Sequence, residues 1–194
     1  NFVYRRVEFC EDYTSTYTDF PFLVTLETRE DGTKVPSKFL TAANLVEHKE
    51  VADAAFKTAL LNRETGEVVV PNGSMGYRYN KEDEGKWNLD LQGVKPALSI
   101  LDLPSGSEKN VEILLPAFDE PSGRGKVMTR GVPTITVEGF EVTTVFDLML
   151  AQYGVGRAGI PGQFATGFDD ASVQYTPAWQ SEITSVPAEA VIRT

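Results

Sequence analysis

Four groups of residues in this 194-residue chain have types and spacings suited to chemistry. Gly154, Gly156 and Gly159 form a G-x-G-x-x-G string, the pattern whose backbone N–H groups cradle a dinucleotide pyrophosphate at a helix N-terminus. That use needs a strand before the string and a helix after it, whereas here a helical pattern precedes it and a loop containing Pro161 follows. The competing reading is a helix C-cap, with Gly154 in the left-handed conformation. Asp169 and Asp170 are adjacent carboxylates, which suits acid–base or metal chemistry, although acidic pairs ahead of a helix also serve as solvated or capping groups. His48 is the only histidine and lies in the charged stretch Val46-Glu47-His48-Lys49-Glu50, with no nucleophile pattern around it. Cys10 is the only cysteine, so an intrachain disulfide is excluded, and the residue reads as a small buried hydrophobe.

A further stretch, Asn72-Gly73-Ser74-Met75-Gly76-Tyr77-Arg78-Tyr79, joins flexible backbone to aromatic and basic side chains. It suits a loop that touches a ligand or another domain, and equally an ordinary turn into a strand. Trp87 and Trp179 lie outside any basic, aromatic-rich run and read as packing anchors. No serine or cysteine sits in a nucleophile elbow. The formal net charge of −10, from 28 acidic and 18 basic residues, repels phosphate backbones and anionic headgroups, which argues against nucleic-acid binding. Apolar runs such as Val145–Ala151 are broken by charge and fall short of the ~20 residues a bilayer-spanning helix needs.

The elements that must position these residues predict an α+β chain, with short helices at both ends flanking a β-rich, hairpin-containing middle. Over 1–55 the pattern predicts a helix at 3–17, a strand at 22–26, a turn at Arg29-Glu30-Asp31-Gly32 and a second helix at 39–47. Over 56–142 it predicts a β-rich insertion. Leu60-Leu61 and Val68-Val69-Val70 form a hairpin around Glu64-Thr65-Gly66, and further strands fall at 87–91, 98–101, 111–115 and 134–137, with surface turns at 104–109 and 120–125. Over 143–194 the clearest helix runs from 143 to 153. Thr143 or Thr144 caps it, Gly154 ends it, and Val145, Leu148, Met149 and Gln152 form the stripe that packs on the sheet. Thr176 then caps a short helix opened by Pro177 and ending near Thr184-Ser185, and Pro187 opens another whose apolar stripe runs to the end of the chain. With no initiator Met and an unfinished last helix, the chain reads as an interior segment of a larger polypeptide.

Four pieces carry a family resemblance: Tyr17-Thr18-Asp19-Phe20-Pro21-Phe22-Leu23-Val24; the run from Gly66 to Tyr77 leading to Lys86-Trp87-Asn88-Leu89; Val142-Thr143-Thr144-Val145-Phe146-Asp147-Leu148 leading to Tyr153-Gly154; and Asp169-Asp170 followed by Tyr175-Thr176-Pro177-Ala178-Trp179. In this order they resemble the catalytic alpha subunits of respiratory, membrane-bound nitrate reductases, within the molybdopterin oxidoreductase family. The stretch 78–142 departs most from that pattern. The resemblance implies a parent oxidoreductase that reduces nitrate in anaerobic respiration, using molybdenum held by two pterin guanine dinucleotides and an iron–sulfur cluster. It also implies an iron–sulfur electron-transfer subunit and a membrane cytochrome subunit as partners, and a place on the cytoplasmic face of the cell membrane. None of the family's catalytic, cofactor or metal residues matches a position here, so the segment is expected to supply structural shell and to be inactive alone. An alternative is a module that binds a partner subunit or an assembly chaperone without enzymatic activity.

Overall fold

Runs of β-branched and apolar residues bounded by glycine, proline and aspartate organise this chain around a sheet, with helices kept to its flanks. The computed structural model describes residues 7–72, 89–117 and 127–193. Helix α1 (Val7–Tyr17) leads into strands β1 (Leu23–Thr28) and β2 (Lys34–Phe39), then a small hairpin of β3 (Leu60–Leu61) and β4 (Val68–Val69). Strands β5 (Lys109–Pro116), β6 (Val127–Val137) and β7 (Phe140–Thr144) follow, and helices α2 (Val145–Gln152), α3 (Pro177–Thr184) and α4 (Ala188–Ile192) complete the order. The class is α+β.

The main sheet has five antiparallel strands in the order β2-β1-β7-β6-β5. Register is fixed by pairs such as Leu23 with Thr144, Ile135 with Val142 and Ile113 with Arg130. A one-residue slip would turn every buried side chain to the wrong face. The two edge strands, β2 and β5, approach each other, so the sheet curls. One face packs Leu23, Ile135, Val137 and Val142 against Leu40, Leu45, Ala59, Leu61 and Ile100 from the connecting segments. The other packs Ile113, Leu115 and Val132 against Ala151 of α2, with Leu26 and Leu148 alongside. Leu26 of β1 reaches the same cluster as Val111 of β5 because of the curl.

Several predicted elements stand where the pattern put them. Helix α1 covers the described part of 3–17, the β3–β4 hairpin closes around Gly66 at φ +77°, and α3 starts at Pro177. Three differ. The predicted helix at 39–47 is a 3-10 turn over Ala42–Asn44, with Phe39 ending β2. Asn44 Oδ1 accepts from the Thr41 N–H (3.1 Å) and hydroxyl (3.0 Å), which closes a single turn, and Leu45 then returns to extended backbone. The predicted strand at 98–101 is another 3-10 turn, Ile100–Asp102, because the Ser99 hydroxyl accepts the Leu101 N–H (3.1 Å) and Asp102 accepts the Ser99 N–H (3.2 Å). Strands β2 and β7 were not anticipated. Pro36 sits in β2, and an edge strand tolerates its missing N–H. The alternation predicted at 87–91 survives as one bridge between Asn72 and Asp90, while residues 73–88 and the predicted turn at 120–125 lie outside the described residues.

Candidate functional site

The densest polar cluster forms where β7 turns into α2. Thr144 keeps extended backbone, its hydroxyl accepts the Asp147 N–H (3.0 Å), and the same hydroxyl donates to the Leu98 carbonyl (2.6 Å). This cap aims Asp147 away from solvent, and its side chain is wholly buried. Its carboxylate accepts from the Ser99 hydroxyl (2.7 Å), the Ile100 N–H (2.9 Å) and Arg157 Nη1 (2.5 Å). Burial pushes the Asp147 carboxyl up, and the Ile100 N–H, the Arg157 guanidinium and the Ser99 hydroxyl pull it back. The cluster ties three segments together: the 3-10 turn at Ser99, helix α2, and the loop after α2.

Ser99 beside Asp147 has the makings of an activated hydroxyl, but its surroundings give it another role. Its oxygen also accepts from Arg157 Nη1 (3.1 Å) and the Leu101 N–H, and the residue is buried. A nucleophile needs a base oriented by a third group and an open approach. Here every partner is a structural donor or acceptor, so the arrangement holds segments in place.

The G-x-G-x-x-G string belongs to the loop that wraps the next part of the sheet. Gly154 follows the last turn of α2 at φ +73°, which is the C-cap arrangement. Such an end presents carbonyl oxygens, the wrong polarity for a pyrophosphate. The Arg130 guanidinium from β6 occupies the space a Gly154 side chain would need. Arg130 is buried, donates from Nη1 to the Ala151 carbonyl (3.2 Å) and lies over the Phe164 ring at 5.5 Å. Burial lowers its pKa, while Tyr175 raises it. Gly156 abuts Phe164, and Gly162 bridges Arg130 along the strand. Gly131 has no room for a side chain, because the Pro161 carbonyl lies against it.

Asp169 and Asp170 do not act as a pair. Asp170 accepts from the Thr166 N–H and hydroxyl (both 3.1 Å) and from the Ser172 N–H (3.1 Å) and hydroxyl (2.5 Å). These bonds, the Ser172 hydroxyl first, draw its carboxyl down to about 2. Its own carbonyl accepts from the Thr176 hydroxyl (2.8 Å), which also caps α3 by accepting the Trp179 N–H (3.0 Å). Trp179 packs edge-on against Tyr175 at 5.5 Å, as an anchor would. His48 is half-buried in a turn whose N–H bonds the Leu45 carbonyl, and Cys10 lies in α1. Trp87 and residues 73–79 lie outside the described residues. Among the described residues no three His, Cys, Asp or Glu side chains gather to hold a metal, and the glycine string does not fit a pterin dinucleotide. Nor is any described helix long and apolar enough to cross a membrane. Sequence reasoning missed Ser99, Arg130, Asp147 and Arg157. A charged residue at 147 within an apolar helical run was the one available signal.

No family model matches the chain. It is 50% identical to the nitrate reductase alpha subunit of Mycobacterium tuberculosis over 194 residues, covering 99% of this chain and 16% of that protein. Identity is 34% over 203 residues to the nitrate reductase alpha chain of Bacillus subtilis, covering 99% of this chain and 16% of the relative. It is 35% over 202 residues to the respiratory nitrate reductase 1 alpha chain of Escherichia coli, covering 96% and 16%. The chain is homologous to nitrate reductase alpha subunits. It spans 16% of the length of those relatives. The buried Asp147 cluster and the glycine loop around Arg130 lie within the stretch that matches these relatives.

Proposed function

We propose that this chain is an interior segment of the molybdenum-dependent catalytic subunit that reduces nitrate to nitrite in anaerobic respiration, and that it supplies shell, not chemistry. The observation that carries the reading is the match to nitrate reductase alpha subunits along 99% of the chain at 50% identity. The molybdenum, its pterin dinucleotides and the iron–sulfur cluster are held by other parts of that subunit. The segment's task is to fix neighbouring structure and exclude water, on which the order around a metal site depends. The polar groups described above support this role, since Asp147, Arg130 and Asp170 each spend their hydrogen bonds on the chain itself. The parent complex includes the electron-transfer and membrane cytochrome subunits and sits at the cytoplasmic face of the membrane.

The test compares the complete polypeptide that contains this chain with the 194-residue polypeptide, each purified and assayed for molybdenum, iron and nitrate reduction with an artificial electron donor. The expected result is metal and activity in the complete polypeptide alone. Stoichiometric molybdenum or iron in the 194-residue polypeptide overturns the assignment of a shell role.

A further inference from the structure

The turn at Arg29-Glu30-Asp31-Gly32 joins β1 to β2 and ends on the dipeptide Asp31-Gly32. Aspartate followed by glycine is the pairing most open to one uncatalysed reaction of the main chain. The amide nitrogen of the glycine attacks Cγ of the aspartate, and no Cβ on the glycine obstructs its approach. Both residues are exposed here, and nothing lies within 4 Å of the place where a Gly32 side chain would project. The reacting groups are nevertheless held. The Gly32 N–H donates to the Arg29 carbonyl (2.9 Å), and Asp31 Oδ1 accepts from both the Thr33 N–H (2.9 Å) and the Thr33 hydroxyl (2.6 Å). The Thr33 hydroxyl, ahead of the Thr33 N–H, also draws the Asp31 carboxyl below its ordinary value, which keeps scarce the protonated form that loses water.

We propose that Asp31-Gly32 is a site of spontaneous isoaspartate formation and that the Thr33 hydroxyl is the latch that slows it. In the reaction a bond forms between Gly32 N and Asp31 Cγ, while the amide proton and the carboxyl OH leave as water. The cyclic imide then takes up water. Breaking its new Cγ–N bond restores aspartate, whereas breaking the original peptide bond to Gly32 leaves the main chain running through Cβ and Cγ. No electrons change hands, and the water lost in the first step is regained in the second. Isoaspartate adds a methylene to a turn that is closed by the Arg29 N–H donating to the Thr33 carbonyl (2.8 Å). The longer turn no longer fits the register that sets Thr28 opposite Lys34, nor the ion pair of Lys34 with Glu141 on β7. The latch therefore protects one edge of the main sheet from a change that needs no enzyme.

The test ages the complete polypeptide that contains this chain at neutral pH and follows isoaspartate at position 31 by peptide mapping. The folded protein is expected to form it at least ~10-fold more slowly than the same polypeptide unfolded in guanidinium chloride, since a held turn reacts only when it opens. Two variants separate the hydroxyl from the shape of the side chain. Thr33→Val keeps the branched shape and loses the hydroxyl, and it is expected to raise the folded rate at least ~3-fold. Thr33→Ser keeps the hydroxyl and is expected to age at the rate of the unaltered protein. Equal rates in the folded and unfolded polypeptide overturn the proposal. So does an unchanged rate in Thr33→Val, or a Thr33→Ser variant that ages as fast as Thr33→Val, which would assign the protection to side-chain shape.

Discussion

Replacing Asp147 by Asn keeps the shape of the side chain and removes its charge, which makes it the sharpest probe of the buried cluster. The amide offers one acceptor oxygen where the carboxylate takes three bonds, from Ser99, Ile100 and Arg157. At least one donor would face the amide NH2. Arg157, with only 17% of its side chain exposed and its Nε already without a partner among the described residues, would become an unpaired buried cation. Breaking a buried pair from one side costs about 3–5 kcal/mol. For a chain of this size each kcal/mol lowers Tm by roughly 2–4 °C, so the melting point should fall by about 6–20 °C. Differential scanning calorimetry and urea titration of the 194-residue polypeptide measure both quantities. Replacing the pair together, Asp147→Leu with Arg157→Met, should cost clearly less than the sum of the two single changes, because no lone charge remains. A loss below ~1 kcal/mol for Asp147→Asn, or strict additivity in the double variant, would refute the account of the cluster.

Three other outcomes are expected. Gly154→Ala places a side chain at φ +73° and into the Arg130 guanidinium, so it should cost about 2 kcal/mol or more in urea unfolding; a cost within ~0.5 kcal/mol would show that Arg130 relocates freely. Asp170, lowered to about 2, should titrate near that value by carboxyl NMR, and its contribution, present above 3.8, should disappear as pH falls through about 2; a midpoint at the ordinary value would mean the Thr166 and Ser172 bonds do not persist in solution. Thr144→Ala removes both the cap of α2 and the bond to Leu98, and should destabilise by about 1–2 kcal/mol in the same unfolding assay, whereas Thr144→Ser should restore most of it.

What could be read from the sequence follows from the range of the forces involved. Helix α3 was legible because its signals are local: Thr176, Pro177 and the left-handed Ser185 at φ +61° lie within ten positions of one another. The end of α2 at Gly154 was legible for the same reason. The 3-10 turn at Ile100–Asp102 departs from the predicted strand for a partly local reason, the Ser99–Asp102 capping box, which apolar spacing alone does not register; the carboxylate that also receives the Ile100 N–H lies 47 residues away, beyond any window of periodicity. Strand β6 was found only from Thr134 onward, since Gly131 and Pro133 interrupt its alternation. Gly131 is required there by the Pro161 carbonyl, which arrives from a loop thirty positions later in the chain. The glycine string shows the same division in one place. Its first glycine is explained by the helix it ends, a local fact. The absence of a side chain there is also explained by Arg130, which comes from a different strand and could not be placed by spacing. Residues that look like a ligand cradle in one dimension are thus, in three, the clearance for a buried cation. That is why the glycine pattern needed its structural context before it could be assigned a role, and why that role belongs to packing.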